Sequence, residues 1–337
     1  MTTTIHTNID FEQQGKQIGF LDIPHSRNDS AWGVEQIPCG VLKNGEGPTV
    51  ICVGGVHGDE YEGPLALHYL MHKWQAQDIQ GRIIILPAFN KAGLQTATRL
   101  SPIDGRDLNR AYPGVYDGSV GQRLVHFMCE YLIPEADLVI DVHSGGHSLE
   151  FLPCAVMHNT QDEAEYRMRC DMLKAFGAPY SLILEELDSA GMLDSYVEGL
   201  GKTFLTTELG GAGLVTPQRL QIARDGLERV LTYYQVLNLA PNQARPPQAP
   251  HSQWCELKHN GYIMAPASGW FEPFYDLGDR VQAGTELGCL HDFRQPQQGM
   301  QVLKAPEDGI LFCRRPKVYT EQGDSLVLIA CDIDNSP

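Results

Sequence analysis

The stretch that decides the fold is TVICVGGVHGDE, residues 49–60. Its first eight residues form a short apolar run closed by glycine, which predicts a strand buried on both faces. Similar runs recur as RIIILPAF (82–89), LVIDVH (138–143) and KTFLTTEL (202–209). Between and after them lie GPLALHYLMHKW (63–74), GQRLVHFMCEYLI (121–133) and EAEYRMRCDMLKAFG (163–177), which carry helical spacing. Strand alternating with helix predicts an α/β fold with a mostly parallel, doubly wound mixed sheet and helices on both faces. The segment VEQIPCGVLKNGEGPTVICV (34–53) reads as a hairpin around a Lys-Asn-Gly-Glu-Gly turn, feeding one side of that sheet.

Residues 241–250, PNQARPPQAP, hold four prolines and end the helix suggested by LERVLTYYQVL. The expected division therefore gives an α/β catalytic domain over 1–245 and a smaller all-β domain over 246–337. The second part repeats itself: APASG (265–269) returns as APEDG (305–309), and GTEL (284–287) as GDSL (323–326). Two similar halves predict a pseudo-symmetric β-sandwich or flattened barrel.

The chain has 337 residues, ample for two domains at roughly 150 residues each. Acidic residues outnumber basic ones 42 to 25, for a formal charge of −17. Such a field repels phosphate backbones and anionic lipid, so neither nucleic acid nor membrane is expected as a partner. Nine cysteines lack the regular spacings of a disulfide framework or a zinc ribbon and read as mostly buried, reduced thiols. The first twenty residues show no basic segment followed by an apolar one, and a cytoplasmic location is expected.

In open α/β sheets ligands bind beyond the carboxyl ends of the strands. Here those ends deliver His57 and Glu60, then His143, then Glu208. Two histidines and one carboxylate form an established catalytic zinc set with a position left for water, and His57, Glu60 and His143 supply it. Taken alone, HxxE is also compatible with a solvated loop; three ligands at strand ends favour the metal. His147, four residues after His143, is separated from it by two glycines and is a weaker rival ligand. His68 and His72 sit on an amphipathic helix and read as packed or surface residues. Glu208 is the candidate general base for a metal-activated water. The polar stretch TRLSPIDGRDLNRAYPG (98–114) offers Arg99, Arg106, Asn109 and Arg110 as a fork for a carboxylate.

HGDE (57–60), DLNRAYPG (107–114), DVHSGG (141–146) and TTELGG (206–211) together resemble the succinylglutamate desuccinylase and aspartoacylase family, which is related in fold to the zinc carboxypeptidases. The resemblance spans essentially the whole chain. DSAWG (29–33) and NGEGP (44–48) further resemble one branch, the N-acetyl-L-2,4-diaminobutyrate deacetylases of ectoine breakdown. It implies that His57, Glu60 and His143 bind one zinc ion and that Glu208 acts as base and proton shuttle. Asn109 and Arg110 would hold the substrate α-carboxylate, Arg99 would polarise the scissile carbonyl, and Asp107 would fix the His57 tautomer. The C-terminal half-repeats resemble the biotinyl and lipoyl hammerhead fold. HDFRQPQQGMQ (291–301) contains no lysine, which argues against a swinging-arm carrier. In the family this domain caps the mouth of the zinc site, which favours small N-acyl amino acids over peptides.

The expected function is thus a zinc amidohydrolase that removes a short acyl group, acetyl, from the α-nitrogen of a small amino acid, with N-acetyl-2,4-diaminobutyrate as the substrate the resemblance implies; the alternatives are an aspartoacylase- or succinylglutamate desuccinylase-type deacylase of another N-acyl amino acid, a zinc carboxypeptidase, and a small-molecule binding protein. The family's habit of forming dimers or larger assemblies leaves a homo-oligomer open.

Overall fold

A computed structural model describes residues 4–240 and 243–333. Pro241 and Asn242, at the head of the proline-rich stretch, fall outside the described residues.

The chain begins with two long antiparallel strands, β1 (Gly15–Pro24) and β2 (Val34–Asn44). The parallel core follows with β3 (Thr49–Gly54), helix α1 (Glu62–Lys73), β4 (Gly81–Leu86), α2 (Lys91–Thr96) and α3 (Val120–Phe127). Next come β5 (Leu138–His143), the short β6 (Glu150–Phe151), β7 (Cys154–His158), α4 (Glu163–Phe176) and β8 (Tyr180–Leu184). Helix α5 (Leu193–Gly199), β9 (Thr203–Glu208) and α6 (Pro217–Tyr233) complete this part. The strands lie in the order β1-β2-β4-β3-β5-β9-β7-β8. Strand β3 is parallel to β4 and β5, and β5 to β9; β7 runs antiparallel to β9 and parallel to β8.

The hairpin expected over residues 34–53 does not form, because β4 lies between β2 and β3 and pairs with both. The crossover through α1 makes β4 parallel to β3, and that places β4, not β2, against β3. The hairpin that does form joins β1 to β2.

Alternation along β3 shows why both faces carry helices. Val50 and Cys52 pack in a core with Leu67 and Leu70 of α1 and Leu227 of α6. Ile51 and Val53 face the other way, into a core with Leu124 of α3 and Val197 of α5. Local signals set the helix ends. The side chain of Asp162 accepts from the Glu165 amide at 2.9 Å at the start of α4, and Gly177, at φ +66°, ends it in the left-handed region.

The expected division at 245/246 falls in an irregular stretch after α6. Strand β10 (Gln253–Leu257) then adds to the large sheet, parallel to β8. The remaining strands are β11 (Tyr262–Met264), β12 (Gly269–Pro273), β13 (Arg280–Val281), β14 (Glu286–His291), β15 (Gln301–Lys304), β16 (Gly309–Arg314), β17 (Tyr319–Thr320) and β18 (Ser325–Asp332). The internal repeat is visible in three dimensions: APASG and APEDG each lead directly into a strand, β12 and β16. Strands β18, β16 and β13 continue the large sheet beyond β10, while β15-β14-β12-β17 form a separate antiparallel sheet. Phe151, Val156 and Leu182 share one buried cluster with Cys255, Phe312 and Leu328. Every described cysteine is a free thiol.

Candidate active site

His57 and Glu60 sit in the loop that leaves β3, and His143 is the last residue of β5. The loop is packed tightly: a Cβ on Gly58 would lie 2.0 Å from the Gly93 carbonyl carbon, so only glycine lets the backbone pass α2 there. Nδ1 of His57 is 2.7 Å from Glu60 Oε1, and Nδ1 of His143 is 2.8 Å from Glu60 Oε2. All three side chains are buried, and their donor atoms lie within 4.8 Å of one another.

Each imidazole is held from behind. Nε2 of His57 is 3.1 Å from Asp107 Oδ1, and Nε2 of His143 is 2.7 Å from Asp141 Oδ2. A carboxylate on one ring nitrogen with the other aimed at a common point is how ligating histidines are oriented. Burial alone would raise the Glu60 carboxyl, but His57 and His143 hold it well below the usual carboxylate range. The same balance applies to Asp107, which His57 and Arg99 keep low against burial. Asp107 also accepts from the Asn109 amide at 2.8 Å and so starts the short turn that carries Asn109 and Arg110.

The Arg99 guanidinium reaches this centre. Its Nη1 is 3.4 Å from His57 Nδ1 and 3.7 Å from Glu60 Oε1, and its Nε is 3.2 Å from Asp107 Oδ2. Glu208, at the end of β9, is in register with His143 on β5. Burial, and after it the charge of Glu60, pushes its carboxyl up to about 8. Its Oε2 is buried and has no hydrogen-bond partner among the described residues.

His57, Glu60, Arg99, Asp141, His143 and Glu208 line a cavity of about 290 Å³, with Asp107 behind His57. Asn109 and Arg110 line it too; Asn109 Oδ1 accepts from the Leu193 amide at 2.9 Å, which leaves its NH2 group as the available donor. Arg106 is exposed and does not line it. His147 lies outside the trio, 3.8 Å from Asp59. His68 and His72 are exposed on α1. All eight expected site residues are thus drawn around one centre.

Sequence reading passed over Asp141, although the Asp-Val-His alternation puts it on the same strand face as His143. It also passed over the acidic wall. Glu186, Asp188 and Asp194 line the cavity with His158, whose Nε2 lies 3.5 Å from Glu186 and whose Nδ1 lies 3.3 Å from Glu198. No spacing signal joins these residues, because β7, the loop after β8 and α5 each supply part. Tyr262, from the C-terminal part, also lines the cavity, and its hydroxyl donates to the Glu185 carbonyl at 3.0 Å.

The chain belongs to the succinylglutamate desuccinylase/aspartoacylase family: the profile of that family's catalytic domain matches residues 46–234. Among its relatives is the N-alpha-acetyl-L-2,4-diaminobutyric acid deacetylase of Halomonas elongata, 38% identical over 97% of this chain and 94% of the relative. The product-bound structure of the ectoine utilization protein EutE (DoeB) from Ruegeria pomeroyi superposes with a TM-score of 0.92 at 38% identity, covering 98% of this chain and 100% of that one. A succinylglutamate desuccinylase/aspartoacylase structure from Rhodobacter sphaeroides gives 0.91 at 36% identity, over 99% and 100%. No described helix is long and apolar enough to cross a membrane.

Proposed function

We propose that this chain is a zinc-dependent amidohydrolase that removes acetyl from the α-nitrogen of N-acetyl-L-2,4-diaminobutyrate. The observation that carries the reaction class is the His57–Glu60–His143 trio with both imidazoles oriented by carboxylates. Those residues fit zinc by donor set, burial and orientation. When bound, zinc lowers the pKa of water toward about 7 and polarises the substrate carbonyl.

The protein's own groups do the rest. Glu208 takes the proton of the attacking water and passes it to the departing α-nitrogen. Arg99 places a cation beside the reacting carbonyl, where negative charge develops in the transition state. Asn109 donates to the substrate α-carboxylate and Arg110 adds a charged partner. Asp107 and Asp141 keep the imidazoles in place.

The substrate assignment rests on the relative's activity together with the acidic wall. Asp194 is buried, and burial followed by the charge of Glu186 pushes its carboxyl up. A side-chain ammonium lodged against Glu186 and Asp194 would relieve that repulsion and gain charge-assisted hydrogen bonds. A carboxylate side chain, as in N-acetylaspartate, would be repelled by the same wall.

The test is a competition assay by mass spectrometry with equal amounts of N-acetyl-2,4-diaminobutyrate, N-acetylaspartate and N-succinylglutamate, with and without chelator. Selective, chelator-sensitive release of diaminobutyrate is expected. Preferred release of aspartate or glutamate would overturn the substrate assignment, and release that persists after exhaustive chelation would overturn zinc dependence.

A further inference from the structure

The small antiparallel sheet holds a second convergence of metal-type donors, formed by other residues than the cavity trio. Strands β12 and β14 place Glu272 directly opposite Cys289, and Trp270 opposite His291. Cys289 and His291 are two positions apart on one strand, so they share a face, and the register delivers Glu272 to the same face. Sγ of Cys289 is 3.5 Å from His291 Nε2 and 3.5 Å from Glu272 Oε2. His291 Nε2 is 2.7 Å from that same Oε2. Sδ of Met300 lies 3.7 Å from Sγ. The Cys289 sulfur side is buried and the Glu272 side is open to solvent, which gives an ion a path in.

Thiolate, imidazole and carboxylate together are a zinc donor set, with bonds of about 2.3, 2.05 and 2.1 Å. In a tetrahedron these bonds separate sulfur from nitrogen or oxygen by about 3.6 Å, and both Sγ distances already match. The nitrogen–oxygen edge, 2.7 Å now, must open by about 0.7 Å. Glu272 can supply that movement, since its side chain is 56% exposed.

We propose that Glu272, Cys289 and His291 form a second, non-catalytic zinc site on the C-terminal sheet, with water in the fourth position. Binding forms Zn–S, Zn–N and Zn–O bonds; the Cys289 thiol proton and the proton between His291 and Glu272 pass to solvent. The ion would tie β12 to β14 across their ladder. Met300 adds a soft neighbour that favours thiophilic metals.

The cavity trio contains no sulfur, so cobalt(II) separates the two sites. Metal-free full-length protein is titrated with cobalt(II) while the near-ultraviolet sulfur-to-cobalt charge-transfer band is followed. The band is expected in the unaltered protein, absent in Cys289→Ser, and retained in His57→Ala. The surface variant Glu272→Ala guards against misfolding and should weaken cobalt binding at this site by at least about tenfold. Metal analysis after zinc loading should show one equivalent fewer in Cys289→Ser, with turnover unchanged. No charge-transfer band in the unaltered protein, or a band undiminished in Cys289→Ser, would overturn the site.

Discussion

Asp141 and His143 stand two positions apart on β5, with Asp141 Oδ2 2.7 Å from His143 Nε2. That contact fixes the ring so that Nδ1 faces Glu60. Asp141→Asn preserves the shape and removes the charge, and zinc affinity should fall about 10–100-fold. A chelator-competition titration measures this, and unchanged affinity would remove Asp141 from the orienting role.

Glu208→Gln should separate metal binding from catalysis. Glu208 is not among the three grouped donors, so bound zinc should stay constant while turnover drops about 10²–10⁴-fold. Metal analysis and steady-state rates on one preparation read both quantities. Turnover within a factor of a few of the unaltered enzyme would place the proton transfer elsewhere.

Asp194→Asn addresses the side-chain amine. A hydrogen bond to a charged group contributes about 1.5–3 kcal/mol, so kcat/KM for N-acetyl-2,4-diaminobutyrate should fall about 10–150-fold. N-Acetyl-2-aminobutyrate, which lacks the amine, should be cleaved almost equally by both enzymes. Equal losses on the two substrates would indicate general damage to the cavity.

His158 makes stability depend on alkaline pH. Burial alone would lower its imidazole, but Glu186 and Glu198 overcome this and raise it from 6.5 to about 10. Below the unfolded value of about 6.5 both states carry the proton and the full stabilisation is present. Between about 6.5 and 10 only the folded state keeps it, and stability declines by up to about 1.4 kcal/mol per pH unit. Thermal midpoints should therefore fall more steeply from pH 7 to 10 in the unaltered protein than in His158→Gln. Parallel curves would show that His158 is not the group titrating.

The trio was legible because two of its members share one loop and the third closes a strand with an unambiguous apolar run. The alternating apolar strands and their helices were legible for the same reason. Pairing was not. The Lys-Asn-Gly-Glu-Gly turn looks like a hairpin, yet the α1 crossover, a longer-range constraint, decides what lies beside β3. Strand β1 escaped notice because GKQIGFLDIP, at the sheet edge, mixes exposed and buried positions without a clean apolar run. His291 reads as a lone histidine until β12 pairs with β14 and brings Glu272 to it. The acidic wall is likewise a product of three elements meeting in space.

Strand β10 hydrogen-bonds to β8 on one side and to β18 on the other. A chain severed within the proline-rich stretch would strip β8 of its neighbour and expose backbone donors and acceptors beside Leu182, a ready template for self-association. It would also remove Tyr262 from the cavity wall. The two parts are thus unsuited to being exchanged as modules. A chimaera that borrowed a C-terminal part from another family member would have to keep the β8–β10 register for the large sheet to stay continuous.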